Sequence, residues 1–391
     1  MKSGKRFREE RMKNRREKIK KIKQAIPVAV ALLMGVIIGC ALASYTSRTA
    51  SSGKSEGYLI FREIFLLVMI WISLFLQIVI HEAGHLVFGL LTGYQFSSFR
   101  IGRFMWIKRD GKIHFSRYSL AGTGGQCLLI PPDIKDGKYP YILYNLGGSL
   151  LNLISAVLFA IFAVVCRSQE LAFLGFLMLA VAGMACALTN GIPLKLASVN
   201  NDGYNVISVG KDPYALRAFW IQMKVNQQIA SGMRLRDMPE EWFEMPSDEE
   251  MKNSMSAALG VFACSRLMEQ HDFARADQEM ERLFSLDSGI VGVHKNLMQV
   301  DQIFCELVGE NREERLKELL DKRQKRFMKS MKRCPSVLRT EYAYALLAEK
   351  DEAKAGKFRE EFEKIAKKYP YPVEIQTERE LLESLKTCSK T

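Results

Sequence analysis

The strongest chemical signal in the chain is the run His81-Glu82-Ala83-Gly84-His85. At 3.6 residues per turn, positions 81 and 85 fall one turn apart on one helix face, the spacing at which two imidazoles hold one zinc ion. Glu82 stands beside them, where a carboxylate can take a proton from water on the metal. The chain has only 5 His, so the pattern is rare by chance. It also follows Ile64 to Ile80, 17 residues without a charge, and continues into Leu86-Val87-Phe88-Gly89-Leu90-Leu91. Ionisable groups inside a membrane-length apolar run are costly and point to function.

Two histidines leave zinc short, because a catalytic site takes a third protein ligand and keeps one position open for water. The third ligand must return to the same end of the helix. The last apolar span of the chain emerges there, at Asn190-Gly191-Ile192-Pro193, followed by Asn201-Asp202-Gly203. Asp202 is the favoured ligand on that placement. The Asp-Gly pairs at 110 and 136 read instead as turns, and Glu170 falls on the opposite side of the membrane.

The elements that position these groups divide the 391 residues sharply. Long apolar runs occupy the first half, while residues 204–391 are dense in Lys, Arg, Asp and Glu. Much of the net charge of +13 lies in residues 1–24, a basic tail with 12 Lys/Arg against Glu9, Glu10 and Glu17. That tail abuts an apolar span rather than a folded, base-reading surface. It therefore reads as a cytoplasmic flank on anionic lipid, and a nucleic-acid partner is not expected. The 8 Cys show no C-x-x-C pair and no disulfide framework.

A first span is expected at residues 25–44. Its competing reading is a cleaved signal, since Ala41-Leu42-Ala43 resembles a signal-peptidase site and Ile37-Ile38-Gly39-Cys40 a lipoprotein box. Further spans are expected at about 59–93, 141–166 and 171–190. The stretch Ile64 to Gly93 would make about 45 Å of helix, longer than the hydrocarbon core. The loop 94–139 between them carries eight Lys/Arg, against three before the zinc helix (Arg48, Lys54, Arg62). The positive-inside rule then puts both termini and the polar half in the cytoplasm. Within the loop, Phe104 to Lys108 and Lys112 to Tyr118 flank Arg109-Asp110-Gly111, predicting a hairpin. It is either a surface hairpin or a sheet edge that accepts an unwound substrate as an added strand.

With these features in place, residues 58–205 resemble the site-2 protease family of intramembrane zinc metalloproteases. The family has a three-helix core with HExxH on the first helix, Gly-x-x-x-Asn on the middle one, and N-x-x-P followed by Asp-Gly on the third. Here those are His81 to His85, Gly148 to Asn152, and Asn190 to Pro193 with Asp202-Gly203. The resemblance implies that Asn152 and Asn190 lie beside the centre, holding substrate backbone or bracing the site, with Gly148, Pro193 and Gly203 shaping it. The alternative for Asn152 is an interhelical hydrogen bond without catalytic duty. The chain departs from the family pattern at Asn201, where Leu is usual, and in a longer gap from Asn190 to Asp202.

Residues 214–391 read as helical throughout, and two passages, Ala263 to Leu286 and Ala345 to Tyr369, look alike. Each offers helix, short acidic turn, helix, similar to tetratricopeptide hairpins, with a plain helical bundle as the alternative. His271 and His294 lack ligand spacing and read as surface residues.

The expected protein is thus mainly α-helical and polytopic. Its parts are four spans, a small cytoplasmic β-hairpin and a soluble helical-hairpin domain. Its expected activity is that of a Zn2+ endopeptidase in a bacterial cell membrane, cutting single-span proteins or signal peptides near their cytoplasmic end. The C-terminal helices are a candidate surface for a cytoplasmic protein partner. The alternative is a membrane-tethered adaptor with a degenerate site.

Overall fold

The structure, a computed structural model, describes residue 44 and residues 54–118, 123–195 and 200–388. The expected first span, residues 25–44, and the possible cleavage sites within it lie outside the described residues, apart from Ser44. Among the described residues, three helices are long and apolar enough to cross a membrane: α1 (Glu56–Leu91), α2 (Tyr141–Val165) and α3 (Glu170–Gly191). None contains proline, and each is apolar on most faces, as suits a helix surrounded by hydrocarbon. α1 begins at Glu56, three residues before the expected Leu59, and takes in Arg62, which the charge count places before the span. Arg62 is buried and its Nη1 donates to Glu170 at 3.2 Å.

The described residues form two compact units, whose boundary falls within α1. The first holds α1 up to Gly84 and residues 148–204. Its packing depends on small residues at the helix crossings. A Cβ at Gly183 would lie 2.9 Å from Gln77 Nε2 and 3.1 Å from both Ala156 Cβ and the Asn152 carbonyl. Only glycine admits that approach of α1, α2 and α3. Leu66, Leu174 and Met178 close the other end of the same unit with Phe65 and Met69.

The second unit holds residues 85–147 and 205–391. The loop expected as one hairpin is a four-stranded antiparallel sheet: β1 (Gln95–Ile101), β2 (Phe104–Arg109), β3 (Lys112–Arg117) and β4 (Gly125–Ile130), in the order β3-β2-β1-β4. The β2–β3 turn is the expected one, with Asp110 at φ 49° and Gly111 at φ 73°, both left-handed. β1 and β4 escape sequence reading because a register shift between Phe96 and Ser98 interrupts the alternation.

After α4 (Asp202–Val209) come α5 (Pro213–Ala230) and, between 235 and 252, three single 3-10 turns in a region read as helical with breaks at Pro and Gly. Pro239 and Pro246 fall among these turns and withhold backbone donors from any longer helix. Then follow α6 (Ser254–Glu269), α7 (Phe273–Ser285), α8 (Gly292–Val308), α9 (Glu313–Leu319), α10 (Lys322–Ser330), α11 (Pro335–Ala343), α12 (Glu352–Ala366) and α13 (Pro372–Cys388). A short π-helical segment, Tyr344–Ala348, continues α11. Both passages read as alike are helical hairpins built the same way. His271 (φ 60°) and Lys350 (φ 55°) turn the chain, and the next residue, Asp272 or Asp351, caps the second helix. His271 is exposed as expected, whereas His294 is half-buried and lines a partly open cavity.

Candidate metal centre

α1 carries His81, Glu82 and His85 on consecutive turns without a break. Glu82 and His85 are buried, and His81 is nearly so. Asp202, the first residue of α4, brings its Oδ2 to 3.1 Å from His81 Nε2. One ligand atom from each of His81, His85 and Asp202 lies within 4.8 Å of the others. The three residues could together hold a metal ion.

The imidazoles are oriented by partners on α2. His81 Nδ1 lies 2.8 Å from Asn152 Oδ1. The Asn152 amide nitrogen donates to the Gln77 carbonyl at 2.9 Å and to Gln77 Oε1 at 2.7 Å, so its oxygen is the atom turned to His81. His81 therefore donates from Nδ1, leaving the Nε2 lone pair on the side of Asp202. His85 follows the same rule one turn on, its Nδ1 donating to the Tyr144 carbonyl at 2.8 Å. Two ring nitrogens are thus fixed as donors to oxygen and two are left basic, the usual arrangement around a protein-bound metal.

Gly148 makes room for the first ring. A Cβ there would lie 2.5 Å from His81 Cε1 and 2.6 Å from Nδ1, so any side chain would displace the imidazole. Gln77 was not singled out from the sequence. A glutamine one turn before the first histidine, within an otherwise apolar run, is the signal that could have marked it.

Asp202 is held by its neighbours. Asn201, which departs from the family pattern, is buried and satisfies four backbone groups. Its Oδ1 accepts from the Leu194 N–H at 2.9 Å and the Tyr204 N–H at 3.0 Å, and its Nδ2 donates to the carbonyls of Thr189 (2.8 Å) and Ile192 (2.6 Å). It caps α4 and ties it to the end of α3. Gly203 faces the Gly191 carbonyl so closely that a Cβ would overlap it, and would lie 3.0 Å from the Pro193 nitrogen. Unlike Gly111 and Gly137, Gly203 needs no left-handed backbone; it is required by this close approach.

Pro193 follows Ile192, whose extended backbone (φ −74°, ψ 126°) ends α3. Asn190 is not brought to the histidines by any hydrogen bond among the described residues. Its Nδ2 donates to the Cys186 carbonyl, one turn back on its own helix, at 3.0 Å. Glu170 is engaged elsewhere, by Lys54, by Tyr58 Oη at 2.8 Å and by Arg62.

Compared with protein-family models, curated proteins and solved structures, the chain matches none. The donor set is therefore judged on its chemistry. Two neutral imidazoles and one carboxylate suit zinc and also other first-row divalent ions. The 3.1 Å between His81 Nε2 and Asp202 Oδ2 is close to the edge of about 3.3 Å expected for tetrahedral bonds of about 2.0 Å. The residues fit such an ion.

Proposed function

We propose that the protein is a zinc-dependent intramembrane endopeptidase of the site-2 protease kind. The observation that carries this reading is the pair of Nδ1-anchored histidines converging with Asp202 on a helix of membrane length. His81, His85 and Asp202 would hold the ion, and Asn152 and the Tyr144 carbonyl would keep the two rings in their ligating tautomer. Bound there, zinc supplies Lewis acidity, polarising a peptide carbonyl and acidifying water. Glu82 is the general base: its buried carboxylate takes the proton of the attacking water and returns it to the leaving nitrogen.

A substrate helix must unwind before cleavage, since its peptide bonds are engaged in their own hydrogen bonds. β4 is an edge of the sheet and can pair with such an extended segment. The lysines and arginines of residues 94–139 support a cytoplasmic sheet and C-terminal half, with the N-terminus on the same side if residues 25–44 form a fourth span. The two capped helical hairpins support a tetratricopeptide-like role in recruiting a cytoplasmic partner or substrate. Expected substrates are single-span proteins or signal peptides.

The test pairs zinc content with cleavage of a single-span reporter by purified protein, wild type against Glu82→Ala. About one zinc per chain in both, with cleavage only by wild type, supports the peptidase. Zinc-free wild type would overturn it, as would cleavage that survives the substitution.

A further inference from the structure

The helical half encloses a half-open groove of about 750 Å³ between α10, α11 and α12. Its floor is apolar. Met328, Val337 and Leu338 are buried there, and Leu320, Tyr344 and Phe358 stand half-buried around them. The π-helical turn that continues α11 helps to shape this floor. In it the Glu349 N–H reaches back five residues to the Tyr344 carbonyl, at 3.1 Å, where an α-helix would reach back four. Such turns are rare and recur at functional sites. Tyr344 is the first residue of this one and lines the groove.

One wall is basic. Residues 322–333 hold seven Lys/Arg and no acid. Lys325 and Lys329, one turn apart on α10, line the groove, as do Lys332 and Arg333 just beyond its end and Lys357 on α12. All five are exposed, and among the described residues none is in an ion pair. Elsewhere in this half surface cations are matched, Lys317 with Glu313 at 2.6 Å and Arg379 with Glu363 at 2.8 Å. The acids of the groove do not cancel its charge. Glu349 is held by Lys354 at 2.6 Å, and burial pushes the Glu341 carboxyl above its ordinary value, which leaves Glu361.

We propose that this groove docks an amphipathic acidic segment of a partner protein, with apolar side chains on the floor and Asp or Glu along the α10 wall. Cations spread from 325 to 333 match several carboxylates on one chain better than one small anion, and the floor asks for apolar groups that a simple polyanion lacks. The chain's own basic tail has the wrong sign, with 12 Lys/Arg against 3 Glu in residues 1–24. A second copy could offer residues 237–250, which hold seven acids and no Lys/Arg. Their Trp242, Phe243 and Met245, however, are packed in the core around α5 and leave nothing for the floor. The inference rests on the recruiting role proposed above for these helices and adds the chemistry of the partner. The zinc site does not enter it.

The test measures binding of a fluorescein-labelled amphipathic peptide, Leu on one helical face and Glu on the other, by fluorescence anisotropy. The full-length protein is held in phosphatidylcholine nanodiscs, with empty discs as blank, and control peptides carry Lys for Glu or Ser for Leu. The Glu–Leu peptide should bind, more weakly as salt rises, and both controls at least about tenfold more weakly. Lys325→Glu, Lys329→Glu and Lys332→Glu together should weaken it about 100-fold and confer binding of the Lys–Leu control, which a misfolded protein would not show. Phe358→Ala should weaken it about tenfold. Absence of binding to wild type, or binding indifferent to the three charge reversals, would overturn the proposal. Equal binding of the Glu–Leu and Glu–Ser peptides would also overturn it, in favour of a surface that holds any polyanion. Preference of wild type for the Lys–Leu peptide would overturn the acidic partner and leave the recruiting role standing. In detergent, light scattering that finds wild type self-associated and the triple variant monomeric would give the groove to a second copy.

Discussion

Two buried polar networks, one in each unit, are of different kinds. Beside the candidate metal centre, Gln77, Asn152 and Ser155 are neutral, satisfy one another and end on His81. Two networks of the helical half are charged. Arg339, 1% exposed, bridges Asp301 at 2.5 Å and Glu378 at 3.0 Å and lies 4.4 Å from the Phe304 ring. Arg234 joins Glu269 at 2.7 Å and grips Glu380 with two nitrogens, at 2.7 and 2.8 Å. The difference follows from what surrounds each. An ion inside an apolar slab has no water to fall back on, so amides are the less costly means of orienting a ring. A guanidinium within a water-bordered domain can assemble with its carboxylates already paired, and then fixes which helices meet.

That contrast can be broken at several points. The largest effect is expected from removing a ligand. His81→Ala or Asp202→Ala should abolish stoichiometric zinc binding, measured by metal analysis after gel filtration, with the helical half still folded. A zinc-replete Asp202→Ala protein would show that the third ligand lies elsewhere. Next, Arg339→Met strands two carboxylates and should cost about 3–5 kcal/mol in unfolding of the helical half. Replacing Asp301 and Glu378 by Leu and Met as well should restore most of it. If the triple variant is no better than the single one, the network does more than cancel its own charges.

A smaller effect is expected at the neutral network. Asn152→Leu leaves His81 Nδ1 without its acceptor and should weaken zinc binding by about 10–100-fold, without the wholesale loss of the ligand variants. Unchanged affinity by chelator competition would make Asn152 merely a packing residue.

The smallest effect concerns pH. Glu374 lines the same cavity as Arg339, and burial pushes its carboxyl up to about 7, partly offset by a hydrogen bond with Tyr369. A carboxyl raised on folding binds more protons folded than unfolded, so stability falls as pH rises from about 4.5 to about 7 and is level above. Between about pH 5.5 and 7.5 this carboxyl alone should cost the helical half about 2 kcal/mol, and Glu374→Gln should remove that share of the slope while leaving the share of Glu378, which burial also raises to about 7. An equal slope in the variant would assign the titration to another group.

Much of the candidate site was legible because it follows local periodicities. The 81–85 spacing needs only a helix, the spans need only apolar length, and the Asp110-Gly111 turn needs only its two residues. The C-terminal hairpins were readable for the same reason, each turn ending in an aspartate that caps the next helix. What stayed hidden depends on partners far along the chain. β1 and β4 have an irregular register, and nothing local in Gln77 says that it will carry Asn152.

Asn201 marks the boundary most clearly. Read against a family pattern it is a departure; in the folded chain it makes four backbone hydrogen bonds that seat Asp202. The chain has three Asp-Gly pairs, alike as letters. Two turn the backbone through left-handed conformations, and the third starts a helix against the end of α3. Hydropathy and spacing, which act within one segment, sufficed to read a long apolar helix carrying two histidines one turn apart. Asp202 was already favoured by its place after the last apolar span; that Asn152 and the Tyr144 carbonyl, rather than Asn190, hold the rings was decided by tertiary contact. A hydrogen bond at 2.8 Å between residues 81 and 152 leaves no trace in the order of the residues between them.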